Sequence, residues 1–341
     1  MNAVNRQVIL RERPKGAISA EHFKIIEAAL PELGPNEALV RVAWLGIDPT
    51  QRTWLNASAT YTRPVAIGEV MRGSGVGQVV ASRTERLAVG DWVYGLTGWQ
   101  EYVVASGEGL YGLNRVPDGV DPKAMLNVFG ASGLAAYFGM TAVGEPTAGS
   151  TAFVSAAAGS VGSIAGQIAR NLGARVIGSA GSEEKCRWVM ENARFNACIN
   201  YRHENVRERL RSFAPEGIDV VFDNVGGAVL EAALDNLALH ARVVLCGSVS
   251  SGYREESYGA GPSNYMQLAF RRARMEGFIF LDYVDRFPAA FEDLSRWVSE
   301  GRLNYREDII DGLENAPAAL QDLFEGRNIG KRLVRLSSEK P

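Results

Sequence analysis

The sequence predicts an α/β fold in two parts, a mostly antiparallel β domain and a doubly wound parallel sheet with crossover helices. Two observations predict it. Up to about residue 120, short alternating or apolar runs are divided by Gly, Pro and Asp, the pattern of strands joined by turns. From about residue 124 the rhythm becomes apolar strand, Gly-rich turn and helix-period segment, repeated several times, as a parallel sheet with helical crossovers requires. The 341 residues suffice for two or three domains at roughly 100–200 residues each.

In chain order, the strands of the first part are EALVRVAWLGI (37–47), GVGQVVAS (75–82), DWVYGL (91–96) and QEYVVAS (100–106). Those of the second are TAFVSAA (151–157), ARVIGSA (174–180), ACINY (197–201), DVVFDNVG (219–226), ARVVLCG (241–247) and MEGFIFLDY (275–283), and six suit a doubly wound sheet. Between them, VGSIAGQIARNLG reads as a helix capped at Gly173, and SEEKCRWVMENA as one opening at Ser182 with Glu and Lys in its first turns. The polar, Gly-rich stretch GSVSSGYREESYGAGPSN (247–264) suits an active-site loop and a plain surface loop almost equally. After FEDLSRWVSEG a strand (REDII), a short helix (APAALQDLFEG) and a last strand (GKRLVRLS) do not form another crossover unit, so the end of the chain is expected to rejoin the first domain. The expected division is 1–123 together with 304–341, and 124–303.

With 46% hydrophobic and 22% charged residues the chain is neither disordered nor collagen-like. Its 36 basic and 39 acidic residues leave a net charge of -3, which provides no field to draw in nucleic acid or an anionic membrane. Cys186, Cys198 and Cys246 lie far apart in sequence without a C-x-x-C spacing, which argues against a disulfide framework or a thiolate metal cluster and fits a reducing cytoplasm. The opening MNAVNRQVILRERPKG has no apolar run of signal-peptide length, and no stretch approaches the roughly 18 apolar residues of a spanning helix.

The run TAFVSAAAGSVGSIAGQIARNLGARVIGSAG reads as strand, tight Gly turn, helix and second strand. Ala157, Gly159 and Gly162 form an A-x-G-x-x-G variant, the setting in which a dinucleotide pyrophosphate meets a helix N-terminus. Gly159 would let the backbone approach phosphate, and Gly162 would let the helix pack on the strand. An NAD site carries Asp or Glu roughly 20 residues further on, at the end of the second strand. Here that place reads Gly178-Ser179-Ala180-Gly181-Ser182, with Lys185 and Arg187 close behind, so a ribose 2′-phosphate and hence NADP(H) is expected. Glu183 and Glu184 leave open that these cations merely form surface ion pairs. The three histidines, His22, His203 and His240, have no Cys or second His near them in sequence; His203 is expected to cap a helix and His240 to border a strand. No metal site is expected, and hydride chemistry would have to polarise its substrate with hydrogen-bond donors.

The order of units, the AAAGSVGSIAGQIA turn, SEEKC, FDNVGG and the ending ENAPAALQDLFEGRNIGKRLVRL resemble the zinc-independent medium-chain dehydrogenase/reductases over nearly the whole chain. The branch resembled holds prostaglandin reductases, leukotriene dehydrogenases, plant double-bond reductases and bacterial curcumin reductases. The resemblance implies a GroES-like first domain, a Rossmann second domain, a homodimer, and NADPH-dependent reduction of the C=C bond of α,β-unsaturated ketones or aldehydes. It implies a pyrophosphate turn at Gly159, Ser160, Val161 and Gly162, and 2′-phosphate contacts from Lys185 and Tyr201. It further implies backbone and ribose contacts at Asn224 and Cys246, a strand lining the nicotinamide at Phe278, Ile279 and Phe280, and an amide reaching the cofactor at Asn328. Asn224 also reads as a turn former, and Cys246 and Phe280 as core. Two departures stand out. Relatives commonly read D-P-Y-M-R where this chain has Asp48-Pro49-Thr50-Gln51-Arg52, which removes a pocket tyrosine and opens room for a different substrate. Where zinc-dependent cousins place G-H-E, this chain has Gly68-Glu69-Val70.

Conjugate reduction builds negative charge on a carbonyl oxygen, and a donor aimed there lowers the barrier. Tyr253, in GSVSSGYR, matches a family tyrosine beside the nicotinamide and is the candidate catalytic residue; covering the cofactor is its other reading. Thr50, Trp54, Tyr61 and Tyr94 are pocket candidates, aromatic walls suiting an aryl enone first and an aliphatic enal second. A quinone reductase, a non-catalytic NADPH-binding protein and an allylic alcohol dehydrogenase are the competing readings.

Overall fold

The computed structural model describes residues 4–107, 109, 112–254 and 261–336. The chain divides into two compact units, Met1–Asn127 with Glu307–Pro341, and Val128–Arg306.

The first unit opens with β1 (Val4–Leu10) and β2 (Phe23–Ala29), an antiparallel ribbon with Leu10 opposite Phe23. β3 (Ala38–Gly46), β4 (Ser74–Ser82), β5 (Trp92–Leu96), β6 (Tyr102–Ala105) and β7 (Leu113–Arg115) follow. Every pairing among these strands is antiparallel, with β3 between β4 and β6. Val8, Leu10, Val42, Leu45, Ile47, Leu55 and Trp99 make up much of the core between ribbon and sheet. After β3 the chain turns into a 3-10 helix, Pro49–Leu55, capped at Asp48.

The second unit begins with α1 (Ala131–Phe138), which runs into a π-helical turn, Gly139–Gly144. Strands and helices then alternate: β8 (Thr151–Val154), α2 (Ser160–Asn171), β9 (Arg175–Ala180), α3 (Glu183–Glu191), β10 (Ala197–Asn200), α4 (Val206–Phe213), β11 (Ile218–Asp223), α5 (Gly227–Leu234), β12 (Leu237–Leu245), α6 (Gln267–Arg271), β13 (Arg274–Gly277) and α7 (Phe287–Ser299). The strands form a parallel sheet in the order β10-β9-β8-β11-β12-β13. The order reverses between β8 and β11, and the carboxyl ends of strands at such a switch point are where this architecture binds ligands. Phe153, Ile177, Ile199, Val221 and Val243 fill the sheet's core, and α2 ends where Gly173 adopts φ 95°.

The chain then returns to the first unit through β14 (Glu307–Asp311), α8 (Ala316–Phe324) and β15 (Lys331–Arg335). β15 pairs antiparallel with β3, Leu333 opposite Gly46, and parallel with β14. The fold is therefore an antiparallel β unit and a doubly wound Rossmann unit. Among the described residues no helix is long and apolar enough to cross a membrane.

Three local expectations are corrected. The strand expected over 275–283 stops at Gly277, and Phe280–Arg286 is a 3-10 helix. Phe280, Tyr283 and Phe287 recur at helical spacing, with Phe138 of α1 stacked on Tyr283 at 4.7 Å and on Phe287 at 5.9 Å. Tertiary packing of the rings thus outweighs the strand propensity of F-I-F. His203 lies in a turn and caps nothing; Asn205 caps α4, its side chain accepting from the Glu208 amide. His240 sits inside β12 at φ 64°, where the pairing with β11 shifts register.

Candidate functional site

The glycine turn joins β8 to α2. Ala156 is left-handed at φ 50°, and the Gly159 amide donates back to its carbonyl at 2.9 Å, tightening the turn. The Ala157 amide donates to the Ser179 carbonyl of β9, which fixes the turn to the sheet. A Cβ on Gly162 would stand 2.4 Å from the Ala156 carbonyl oxygen, so only glycine lets α2 start this close to the strand. Gly159, by contrast, has only that oxygen near its Cβ position, at 3.2 Å, and open space otherwise. Ser160, Val161 and Gly162 form the first turn of α2, at the end of the helix whose dipole favours an anion. Glycine at 159 thus leaves room at its Cβ position beside the N-terminus of α2.

The end of β9 forms a second corner. Ser182 caps α3, its hydroxyl accepting from the Lys185 amide at 3.3 Å. Tyr201, just past β10, donates its amide to the Ala180 carbonyl at 3.1 Å and lays its phenol over Gly181, where a Cβ would come within 2.7 Å of the hydroxyl. Arg187 is exposed and two residues beyond Lys185, so it leaves the opposite side of α3 and does not join Lys185 as expected. The cation that reaches Gly181 is Arg202. Glu183 accepts from the Asn200 side-chain amide at 2.7 Å. Beneath this corner the thiols of Cys186 on α3 and Cys198 on β10 hydrogen-bond, although 11 residues separate them in sequence; this contact holds Cys186 below and Cys198 well above the ordinary thiol range.

At the switch point the hub is Asp223, 1% exposed at the end of β11. It accepts from the Ser155 hydroxyl at 2.8 Å and from the Val225 and Gly226 amides at 3.2 and 2.8 Å. Its carbonyl receives the Cys246 and Gly247 amides at 2.9 and 3.1 Å. Burial pushes the Asp223 carboxyl above its ordinary range despite these donors. Asn224 donates its side-chain amide to the Ser155 carbonyl and its backbone amide to the Ser155 hydroxyl, both at 2.8 Å. Burial, with the Asp223 charge adding, pushes the Cys246 thiol up to about 12, which keeps it protonated near neutrality. Tyr253, left-handed at φ 50°, turns its phenol back onto the loop and accepts the Ser248 amide at 2.9 Å. Of the 247–264 stretch, residues 255–260 lie outside the described residues. Phe278, Ile279 and Phe280 follow β13 half-buried, and Phe278 packs where Gly139 of the π-helical turn has no side chain.

In the first unit, Thr50, Trp54 and Tyr61 come together. The Tyr61 and Thr50 hydroxyls lie 2.7 Å apart, and the Trp54 indole donates to the Tyr61 oxygen at 3.3 Å. Arg72 stands 5.5 Å over the Trp54 ring. Tyr94 lies in β5 between Val76 and Asn114, where burial raises its phenol pKa. Asn328 stands before β15 and donates its side-chain amide to the Gly330 carbonyl at 2.8 Å. Glu69 pairs with Arg63 at 2.6 Å, which lowers its carboxyl. Among the described residues no three His, Cys, Asp or Glu side chains are grouped to hold a metal ion.

Sequence reasoning missed Arg202, Ser155 and Asp223. The available signals were an arginine next to the expected Tyr201 and, within FDNVGG itself, the acid that closes an apolar strand.

Residues 6–113 match the family described as the N-terminal domain of oxidoreductase, and residues 160–300 the family described as zinc-binding dehydrogenase. NADPH-dependent curcumin reductase of Escherichia coli (strain K12) is 38% identical over 340 residues, 98% of either chain. Prostaglandin reductase 1 of Bos taurus is 35% identical over 92% of this chain and 93% of its own. The crystal structure of CurA from Vibrio vulnificus in complex with NADPH superposes with a TM-score of 0.91 at 40% identity, covering 98% of this chain and 100% of that one. The chain belongs to the medium-chain dehydrogenase/reductase family of oxidoreductases, in the branch of the curcumin and prostaglandin reductases.

Proposed function

We propose that this chain reduces the C=C bond of α,β-unsaturated ketones and aldehydes. The chain is an NADPH-dependent oxidoreductase of its family. The observation that carries the cofactor reading is the cradle at the β8–α2 turn, open over Gly159, together with a β9 end that offers hydroxyls and cations in place of an acid. The bond is suggested by relatives named curcumin, 2-alkenal and pulegone reductases.

Gly159, Ser160, Val161 and Gly162 would hold the pyrophosphate, Lys185 and Tyr201 the 2′-phosphate. Asn224, Cys246, Tyr253 and the 278–280 segment would hold the ribose and nicotinamide end. When bound, NADPH supplies the hydride that goes to the β-carbon, and negative charge develops on the carbonyl oxygen. Tyr253 is the proposed donor to that oxygen. Its phenol already accepts the Ser248 amide, and an accepting hydroxyl is a stronger donor. The α-carbon then takes a proton, for which the same phenol is the candidate source. Thr50, Trp54, Tyr61 and Tyr94 are the proposed substrate-facing side chains, the first three joined through the Tyr61 hydroxyl. An aryl enone is the leading substrate class and an aliphatic enal the second.

The test is NADPH consumption over enones, enals, quinones and aldehydes, with mass spectrometry of the products. Saturated ketones or aldehydes are expected; turnover of quinones with none of enones overturns the proposal. In the same assay Tyr253→Phe is expected to lower kcat about tenfold, or ~1.4 kcal/mol of barrier, with KM little changed. Unchanged kcat removes Tyr253 from the chemistry.

Two copies are proposed to associate through β13. It is the edge strand, paired with β12 alone among the described residues, and an exposed sheet edge presents unpaired amides and carbonyls. Nearby Tyr265, Met266 and Phe270 are 60, 46 and 66% exposed, an apolar face that water does not favour. Light scattering is expected to give twice the chain mass, and Phe270→Asp the single mass; a monomeric wild type sinks the dimer. Free Cys186, Cys198 and Cys246 suit a reducing compartment, and the cytoplasm is the proposed location.

A further inference from the structure

We propose that Cys186 and Cys198 form a modification site, a thiol pair that a peroxide converts into a reversible disulfide joining α3 to β10. The inference stands apart from the cofactor and substrate readings above, to which neither cysteine belongs.

The meeting of the two residues follows from how α3 lies on the sheet. Side chains alternate along β10: Ala197 and Ile199 enter the core shared with Ile177, Leu210 and Leu230, which sends Cys198 and Asn200 to the opposite face. α3 packs on that face. The Asn200 side-chain amide donates to Glu183 of α3 at 2.7 Å, which fixes the register of helix on strand at one point. Because β9 and β10 are parallel, the helix that connects them runs back against both. One helical turn from Glu183 therefore leads to Cys186 in the same direction in which two strand residues lead from Asn200 to Cys198. The sulfurs meet there, one step along from the Glu183–Asn200 contact, and Cys198 donates to Cys186.

That hydrogen bond divides the labour of the pair. It lowers the Cys186 thiol and raises the Cys198 thiol, so Cys186 is the nucleophile and Cys198 the resolving partner. Cys186 is 3% exposed, whereas Cys198 is half-buried on a strand that pairs with β9 alone among the described residues, so a small oxidant arrives from the sheet edge. With hydrogen peroxide, the Cys186 sulfur takes one oxygen as the O–O bond breaks, leaving a sulfenic acid and releasing water. The Cys198 sulfur then attacks the sulfenic sulfur, its proton and the departing hydroxyl leave as a second water, and the S–S bond forms. Two thiols have lost two electrons and two protons, and one peroxide has become two waters. A reducing thiol reverses the bond by exchange, as a reducing compartment requires of a transient disulfide.

The test is peroxide treatment of the full chain, followed by thiol counting in denaturant, peptide mapping with and without dithiothreitol, and thermal unfolding. The three thiols of the reduced chain are expected to fall to one, Cys246, whose thiol burial keeps protonated. A Cys186–Cys198 cross-link is expected within one chain, with a melting temperature raised by about 5 °C and restored by dithiothreitol. Cys198→Ser is expected to show neither the cross-link nor the rise. Three thiols surviving peroxide, a cross-link through Cys246 or between chains, or oxidation of Cys186 to a sulfinic acid without a cross-link overturns the proposal. Peptide mapping of the wild type decides the matter even where the variant folds poorly.

Discussion

Gly162→Ala is expected to abolish measurable NADPH binding and to lower the melting temperature of the second unit by roughly 4–8 °C, whereas Gly159→Ala keeps the fold and loses only affinity. Both glycines belong to one turn, yet a methyl group meets different surroundings at each. At Gly162 it would stand 2.4 Å from the Ala156 carbonyl oxygen and 3.0 Å from its carbon, and backbone in a turn anchored to β9 cannot retreat. Overpacking of this kind costs about 3 kcal/mol. Alanine also favours a helix over glycine by about 1 kcal/mol, which offsets only part of the clash. The remaining 2 kcal/mol or so, in a unit of this size, corresponds to the stated shift. At Gly159 the backbone is at φ -80°, open to any residue, and the methyl would meet one oxygen at 3.2 Å. Stability should change little, while the methyl occupies the cradle and weakens NADPH about a hundredfold. Fluorescence titration with NADPH beside thermal unfolding reads both quantities. Normal NADPH affinity in Gly159→Ala would show that no phosphate passes over that residue.

The same glycines explain why so much of the fold is legible in the sequence. A strand, a Gly turn and a helix of regular period announce themselves locally, so the parallel sheet, the caps at Gly173 and Ser182 and the tight turn at 157–162 follow from spacing. What spacing does not carry is the meeting of segments distant in sequence. Arg187 is the partner that nearness in sequence offers Lys185, but a helix sends residues two apart to opposite sides. Arg202 arrives instead through the pairing of β9 with β10. Cys186 and Cys198 are brought together by the same pairing, against the impression of scattered thiols. The β1–β2 ribbon escaped because Arg6, Gln7, Lys24 and Glu27 interrupt its apolar alternation. In the first unit, Thr50 seemed to leave a space where relatives carry a tyrosine. The structure brings the Tyr61 hydroxyl to 2.7 Å from Thr50 across an irregular loop that no period describes.

Asp223→Asn is expected to destabilise the second unit by about 2 kcal/mol and to lower kcat/KM about a hundredfold, although it changes one atom in a buried group. The carboxylate receives three donors: the Ser155 hydroxyl and Val225 amide on one oxygen, and the Gly226 amide on the other. An asparagine supplies one oxygen. If that oxygen keeps the first pair, its NH2 faces the Gly226 amide, donor against donor; if it is flipped, two donors lose their acceptor instead. A buried donor without an acceptor costs about 1–3 kcal/mol. Neutralising a desolvated carboxylate acts in the opposite direction, and pH separates the two effects. Burial raises the folded carboxyl above its unfolded value, so its contribution to stability is complete below the ordinary carboxylate range and falls as pH rises through the folded value. The gap between wild type and Asp223→Asn should therefore be widest in acid, narrow as pH rises through the folded value, and settle above it at the value set by the lost acceptor. The effect on kcat/KM follows because Asp223 holds the ends of β8, β11 and β12 in register, through Ser155 on one side and the Cys246 and Gly247 amides on the other. That register positions Asn224 and the loop carrying Tyr253. Thermal unfolding across pH, with kcat/KM on an enone, tests both parts; an Asp223→Asn enzyme with wild-type stability and turnover would mean that these strand ends hold their places without the carboxylate.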